Sequence, residues 1–178
     1  EKARFKEIAE ALSKIGSKFE ENILDNTNDF KHLVEEKSEL TGIPEDALQA
    51  AAEAAKAENK EGWLFTLHFP SYMPVLQYAE NRALRETMYR AYATRASEFS
   101  KPEWDNTDLI KEILALKKEE AKLLGFNNYA ELSLATKMAD TPKQVTDFLD
   151  TLAKRAKPYA EKDVAELKEY AKKLGLAD

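Results

Sequence analysis

Cysteine is absent from the 178 residues of this chain, so neither a disulfide nor a thiolate metal site can form; this composition fits a reducing compartment, and the cytoplasm is the expected location. Glycine and proline are scarce, at five and six residues, which leaves few breaks between regular elements and no Gly-rich phosphate loop or flexible linker. No run approaches the ~18 apolar residues that a membrane-spanning helix requires, so no membrane partner is expected. Positive charge is not in surplus either. Lys and Arg number 27 against 33 Asp and Glu, a net charge of −6, and the two signs alternate along the chain. No basic stripe is left to track phosphates, and nucleic acid is not an expected partner.

What is present is an apolar fraction of 43% mixed with 34% charged residues, rich in Ala, Glu, Lys and Leu, the composition of amphipathic helices. A chain of this size can bury roughly 70% of the surface that its unfolded form exposes, enough for a real core. The expected fold is mainly α, a multi-helix array carrying one small two-stranded antiparallel ribbon, with residues 1–178 as a single helical segment.

Phe5, Ile8, Leu12, Ile15, Phe19 and Ile23 recur at helical spacing and predict a helix from Glu1 to Asn22 or Asp25, followed by a turn at Asp25-Asn26-Thr27-Asn28. The sequence begins without Met inside this pattern, with no capping residue ahead of it, as expected of an excerpt from something longer. Phe30–Glu35 reads as a short strand. Thr41-Gly42-Ile43-Pro44 precedes an Ala-rich helix over Glu45–Glu58, and Trp63–Phe69, aromatic and without helical spacing, is the best strand. A lone strand cannot satisfy its backbone donors and acceptors, so 63–69 should pair with 30–35.

Ser71 can cap a short helix reaching Tyr78 or Ala79, and a further helix is predicted over Asn81–Ser97. Asp105–Thr107 offers caps for a long helix that Gly125 can stop. Asn128 with Glu131 has capping-box spacing for a helix to about Lys137, and Thr141-Pro142 with Gln144 opens the last one, which Pro158 should bend near Lys154.

Candidate chemistry is sparse. A helix-borne zinc hydrolase needs two His four residues apart with a Glu between them, and a third ligand from elsewhere. The chain has only His32 and His68, each followed by an apolar residue. They read as ordinary strand residues, or as a poor pair of ligands if adjacent strands bring them together. Glu35-Glu36 and Glu119-Glu120 can act in acid–base chemistry only if the two carboxylates have unlike environments; solvated helix faces are the other reading. Trp63, Phe65, Phe69, Tyr72 and Tyr78 pack a core or line a peptide groove. Arg82, Arg85, Arg90 and Arg95 either pair with Glu80 and Glu86 along one helix or include a cleft-facing grip for a peptide carboxylate.

The stretch from Trp63 to Pro74, WLFTLHFPSYMP, resembles the family of thimet-type oligopeptidases. The resemblance continues through Asn81–Tyr92, Arg95–Ser97, Leu123–Ala130 and Leu134–Ala139 in the same order, and Phe19–Asp25 extends it to the whole chain. It implies a largely helical metallopeptidase whose two halves flank a deep channel, with one zinc ion held by a His-Glu-x-x-His helix and a distal Glu, cleaving short peptides in the cytoplasm. This sequence lacks the ligand motif, so no catalytic, cofactor-binding or metal-binding residue carries over, and the residues that touch substrate are not assigned. On that reading Zn2+ belongs to the full-length parent and none is bound by this segment. Residues 1–178 correspond to channel wall and scaffold upstream of the zinc domain, with oligopeptide substrates and the remainder of its own polypeptide as partners. The alternative is a free-standing helical module that binds peptides or a protein partner through the aromatic cluster.

Overall fold

The repeat of apolar residues at three- and four-residue intervals forms α1 over Lys2–Asp29, with Ile8 and Ile15 buried. The computed structural model describes residues 1–176. Helix α1 runs through the predicted turn at Asp25-Asn26-Thr27-Asn28, where Asn26 and Thr27 bond to residues 95 and 96 instead of closing a local turn. The Thr27 hydroxyl donates to the Ile23 carbonyl at 2.7 Å and accepts from Arg95 Nη1 at 2.8 Å, while Asn26 Oδ1 accepts the Ala96 N–H at 2.9 Å.

The ribbon forms where the sequence places it, antiparallel, from β1 (His32–Val34) and β2 (Trp63–Phe65), with His32 opposite Phe65, Leu33 opposite Leu64 and Val34 opposite Trp63. Both strands are shorter than predicted. The Thr66 N–H is taken by Ser71 Oγ at 3.0 Å, and Phe69 already begins α3 (Phe69–Tyr78). Ser71 therefore does not cap that helix; His68 stands at its N-cap position without a side-chain cap, and Ser71 ends the strand instead. Gly62 opens β2 with φ +106°, and a Cβ there would collide with the Val34 carbonyl, so the close approach of the two strands requires glycine.

The connection between the strands carries α2 (Glu45–Ala57), which buries Leu48, Ala51 and Ala55 and begins with Glu45 and Asp46 near its positive end. Asn59, at φ +57°, closes it by turning left-handed, with its N–H on Lys56 O and the Lys60 N–H on Ala55 O, both at 3.0 Å. Helix α4 (Arg82–Ala93) is capped by Asn81 Oδ1, which accepts from the N–H groups of Ala83 and Leu84 at 3.0 and 3.2 Å. It stops short of the predicted Ser97, and Ala96 turns at φ +49°. Val34, Phe65, Leu48, Tyr72, Val75, Leu84 and Met88 meet in one core that joins the ribbon to α2, α3 and α4.

The chain divides into two compact units, Glu1–Leu116 and a second beginning at Lys117, with the division inside α5 (Thr107–Leu123). Gly125 ends that helix at φ +82°, and the Phe126 N–H reaches Ala121 O at 2.9 Å. In the second unit α6 (Tyr129–Leu134) is capped by Asn128 Oδ1, which accepts the Glu131 N–H at 3.0 Å, and it ends before the predicted Lys137. Helix α7 (Pro142–Lys173) is capped by Thr141 Oγ1 on the Gln144 N–H at 3.1 Å and contains Pro158. None of its residues is buried.

Candidate functional site

The ribbon does not bring the two histidines together as ligands. His32 is half-buried on β1 facing Phe65, and His68 is exposed three residues beyond that partner. Among the described residues no group of three or more His, Asp or Glu side chains is placed to hold a metal ion. The zinc ion implied by the resemblance therefore does not fit the donors of this segment. Glu35 and Glu36 are exposed. Glu58 is held below the ordinary carboxylate value by hydrogen bonds from Lys31 and Lys60, which fixes it as an anion and suits it poorly to proton donation.

The aromatic residues divide between core and surface. Phe65 and Tyr72 are buried, whereas Phe69 and Tyr78 are exposed. Tyr72 stacks on Tyr92 with ring centroids 4.3 Å apart and an interplanar angle of 19°, and the Arg95 guanidinium lies 3.7 Å from the Tyr92 ring centre. Burial raises the Tyr72 phenol above its usual pKa. Arg95 also donates to the Tyr92 carbonyl at 3.0 Å, so it clasps the end of α4 to α1 through Thr27. Phe65, Tyr72 and Arg95 hold shape.

The other arginines of the predicted set separate further. Arg90 Nε donates to Glu86 at 2.7 Å. Arg85 Nη1 donates to the Ala79 carbonyl and, at 3.1 Å, to the Glu80 carbonyl, closing the turn between α3 and α4. Arg82 is exposed. Together Leu76, Arg82, Arg85, Glu86 and Tyr89 line a groove of about 510 Å³ on this face of the first unit. Leu76 and Tyr89 were not singled out from the sequence. The stripe Arg82, Arg85, Glu86, Tyr89, spaced by three, one and three residues, is the signal that marks them.

The second unit carries a smaller, more apolar groove of about 270 Å³, lined by Ala130, Ser133 and Leu134 of α6 with Pro142, Val145 and Thr146 of α7. Beyond it, α7 leaves Phe148 62%, Tyr159 74% and Leu167 67% exposed.

A model of Peptidase family M3 matches residues 75–178, a stretch that includes α4, the arginine groove and all of α7. The chain belongs to Peptidase family M3. This family M3 chain is 56% identical over 172 residues to oligopeptidase A of Haemophilus influenzae, an alignment covering 96% of the chain and 25% of that protein. It is 53% identical over 171 residues to oligopeptidase A of Escherichia coli, covering 95% and 25%. To the probable cytosolic oligopeptidase A of Arabidopsis thaliana it is 45% identical over 181 residues, covering 98% and 25%. The family M3 chain thus spans about a quarter of the length of these relatives.

Proposed function

We propose that this chain is the non-catalytic channel-wall portion of a zinc-dependent metalloendopeptidase that hydrolyses short oligopeptides in the cytoplasm. The observation that carries the reading is identity of 45–56% over nearly the whole chain to proteins named oligopeptidase A, each about four times as long. On this reading the zinc ion and its ligands belong to the rest of the polypeptide, and the scarcity of clustered donors in this segment has a simple origin. The partners are oligopeptides and the remainder of the same protein.

The apolar side chains of α7 support that assignment. A helix of 32 residues with none fully buried leaves much of its apolar area in water, which forgoes roughly 25 cal/mol for each Å². A patch of this size on an otherwise folded unit marks an interaction surface, and further polypeptide of the same enzyme is the occupant that fits family membership. A free-standing binding module accounts less well for it, because two of the five aromatic residues that would serve such a module, Phe65 and Tyr72, lie in the core, which leaves Phe69 and Tyr78 exposed.

The test is hydrolysis. The purified chain, incubated with zinc and an internally quenched oligopeptide, should give no turnover. Cleavage that co-purifies with the chain and is abolished by a chelator would overturn the placement of the chemistry outside this segment.

A further inference from the structure

The groove between α3 and α4 is one place where the first unit leaves cationic chemistry uncommitted. Of the four arginines on and just beyond α4, Arg90 is paired with Glu86 and Arg95 is clasped to Thr27 and Tyr92. Arg85 spends only Nη1 on the carbonyls of Ala79 and Glu80, which fixes its position and leaves Nε and Nη2 to donate elsewhere. Arg82 is exposed and makes no hydrogen bond or ion pair among the described residues.

An exposed arginine is ordinary by itself. What distinguishes Arg82 is its setting. It lies three residues from Arg85, a like-charge spacing that weakens a helix by a few tenths of a kcal/mol and that an anion between the two would relieve. Both arginines line the same groove, whose single carboxylate residue, Glu86, is engaged by Arg90 at 2.7 Å. Leu76 supplies an apolar seat there. Tyr89, 58% exposed, stands two helical turns or ~10 Å along the axis from Arg82 and presents its ring and hydroxyl.

We infer that this groove binds the C-terminal end of a short peptide, the terminal carboxylate between the Arg82 and Arg85 guanidiniums and an apolar last side chain over Leu76 and the Tyr89 ring. Planar guanidiniums match a carboxylate in geometry as well as charge, and the aromatic ring adds contact area at little loss of side-chain freedom. The choice of a peptide over any other carboxylate rests on the peptidase reading above. The groove would hold substrate or product by its end, away from the reacting bond.

The experiment titrates the isotope-labelled chain with the N-acetylated tripeptide Ala-Ala-Leu, the same tripeptide with a C-terminal amide, and acetate alone, following backbone amide resonances. The free acid should shift Arg82, Arg85 and Tyr89 saturably, and the amide should bind about tenfold more weakly. Arg82→Ala should weaken the acid about fivefold, with Arg82→Lys in between. The first turn of α4 tolerates Ala, so the variant keeps the fold. No saturable shift, equal binding of the amide, or unchanged affinity in Arg82→Ala would overturn the proposal. Acetate binding as tightly as the tripeptide would overturn the peptide assignment. None of these results bears on the hydrolysis test, so the two readings fail separately.

Discussion

Asn22 and Asn106 provide the sharpest test of how the first unit is held. Both are buried, at 2% and 1% exposure, and they join α1 to the start of α5 across 84 residues of sequence. Asn22 Nδ2 donates to Asn106 Oδ1 at 2.8 Å, and Asn106 Nδ2 donates to the Phe19 carbonyl at 3.1 Å. Asn22 Oδ1 has no partner. Asn106→Ala removes two hydrogen bonds, each worth about 1 kcal/mol net, and leaves the Asn22 amide unsatisfied at both ends, a desolvation cost of about 1–3 kcal/mol. A loss of about 3 kcal/mol follows, which at a urea slope of ~2 kcal/mol/M moves the unfolding midpoint down by about 1.5 M. Asn22→Ala should cost less, about 1–2 kcal/mol, because it also deletes the unpartnered oxygen. The double variant removes both members of the pair and should fall at least about 1 kcal/mol short of the summed single losses. Urea unfolding followed by Trp63 and Trp104 fluorescence gives all four midpoints. Losses that add to within about 0.5 kcal/mol, or an Asn106→Ala loss under about 1 kcal/mol, would refute the reasoning.

Two glycines should respond to alanine with opposite signs. Gly62→Ala meets the Val34 carbonyl at a positive φ and should cost about 2 kcal/mol, a fall in Tm of roughly 4–8 °C, whereas Gly16, inside α1 with nothing within 4 Å of a Cβ, should gain about 0.5–1 kcal/mol. Thermal unfolding measures both, and shifts of the same sign would count against the geometry. Asp105 is held below its ordinary value of 3.8, first by the Thr107 hydroxyl at 2.6 Å and then by its N–H at 2.8 Å. A depressed folded-state pKa stabilises above 3.8 and loses that stabilisation as the pH falls below it. Wild-type protein should therefore lose more stability between pH 5 and roughly pH 3 than Asp105→Asn, as read from urea midpoints at the two values.

The helices and the ribbon were legible because their signals are local. Periodicity placed α1, capping chemistry placed α6 and α7, and the need of Trp63–Phe65 for a partner selected His32–Val34 across the intervening helix. Two of the misread places, the turn at 25–28 and the strand end at 66–71, share a physical origin. Asn26, Thr27 and Ser71 are residues that a sequence assigns to turns and caps, yet each bonds to a group that only the folded chain brings near: Ala96, Arg95 and Thr66. Side-chain hydrogen bonding of this kind competes with local propensity, and nothing in the spacing of residues reports it. The four arginines illustrate the same limit. The helix shared by Arg82, Arg85 and Arg90 was readable, although Arg95 falls beyond its end, whereas the separation of the four into three anchored residues and one free depended on groups supplied by the surrounding structure.

The same bonding bears on the proposal that the chemistry lies outside this segment. A catalytic group needs a side chain whose hydrogen-bonding capacity is left for the substrate and whose pKa is set for proton transfer. In the first unit the polar residues that reach the interior, Asn22, Thr27 and Asn106, are engaged in cross-linking α1 to the segments at 95–106. Glu58 is fixed as an anion by two lysines. On the proposed channel-wall reading, these cross-links hold the wall in shape, and the width of a substrate channel sets which peptides enter. Arg82 departs from the pattern, since its charge serves no bond within the unit, and the proposed grip on a peptide end needs a side chain of that kind.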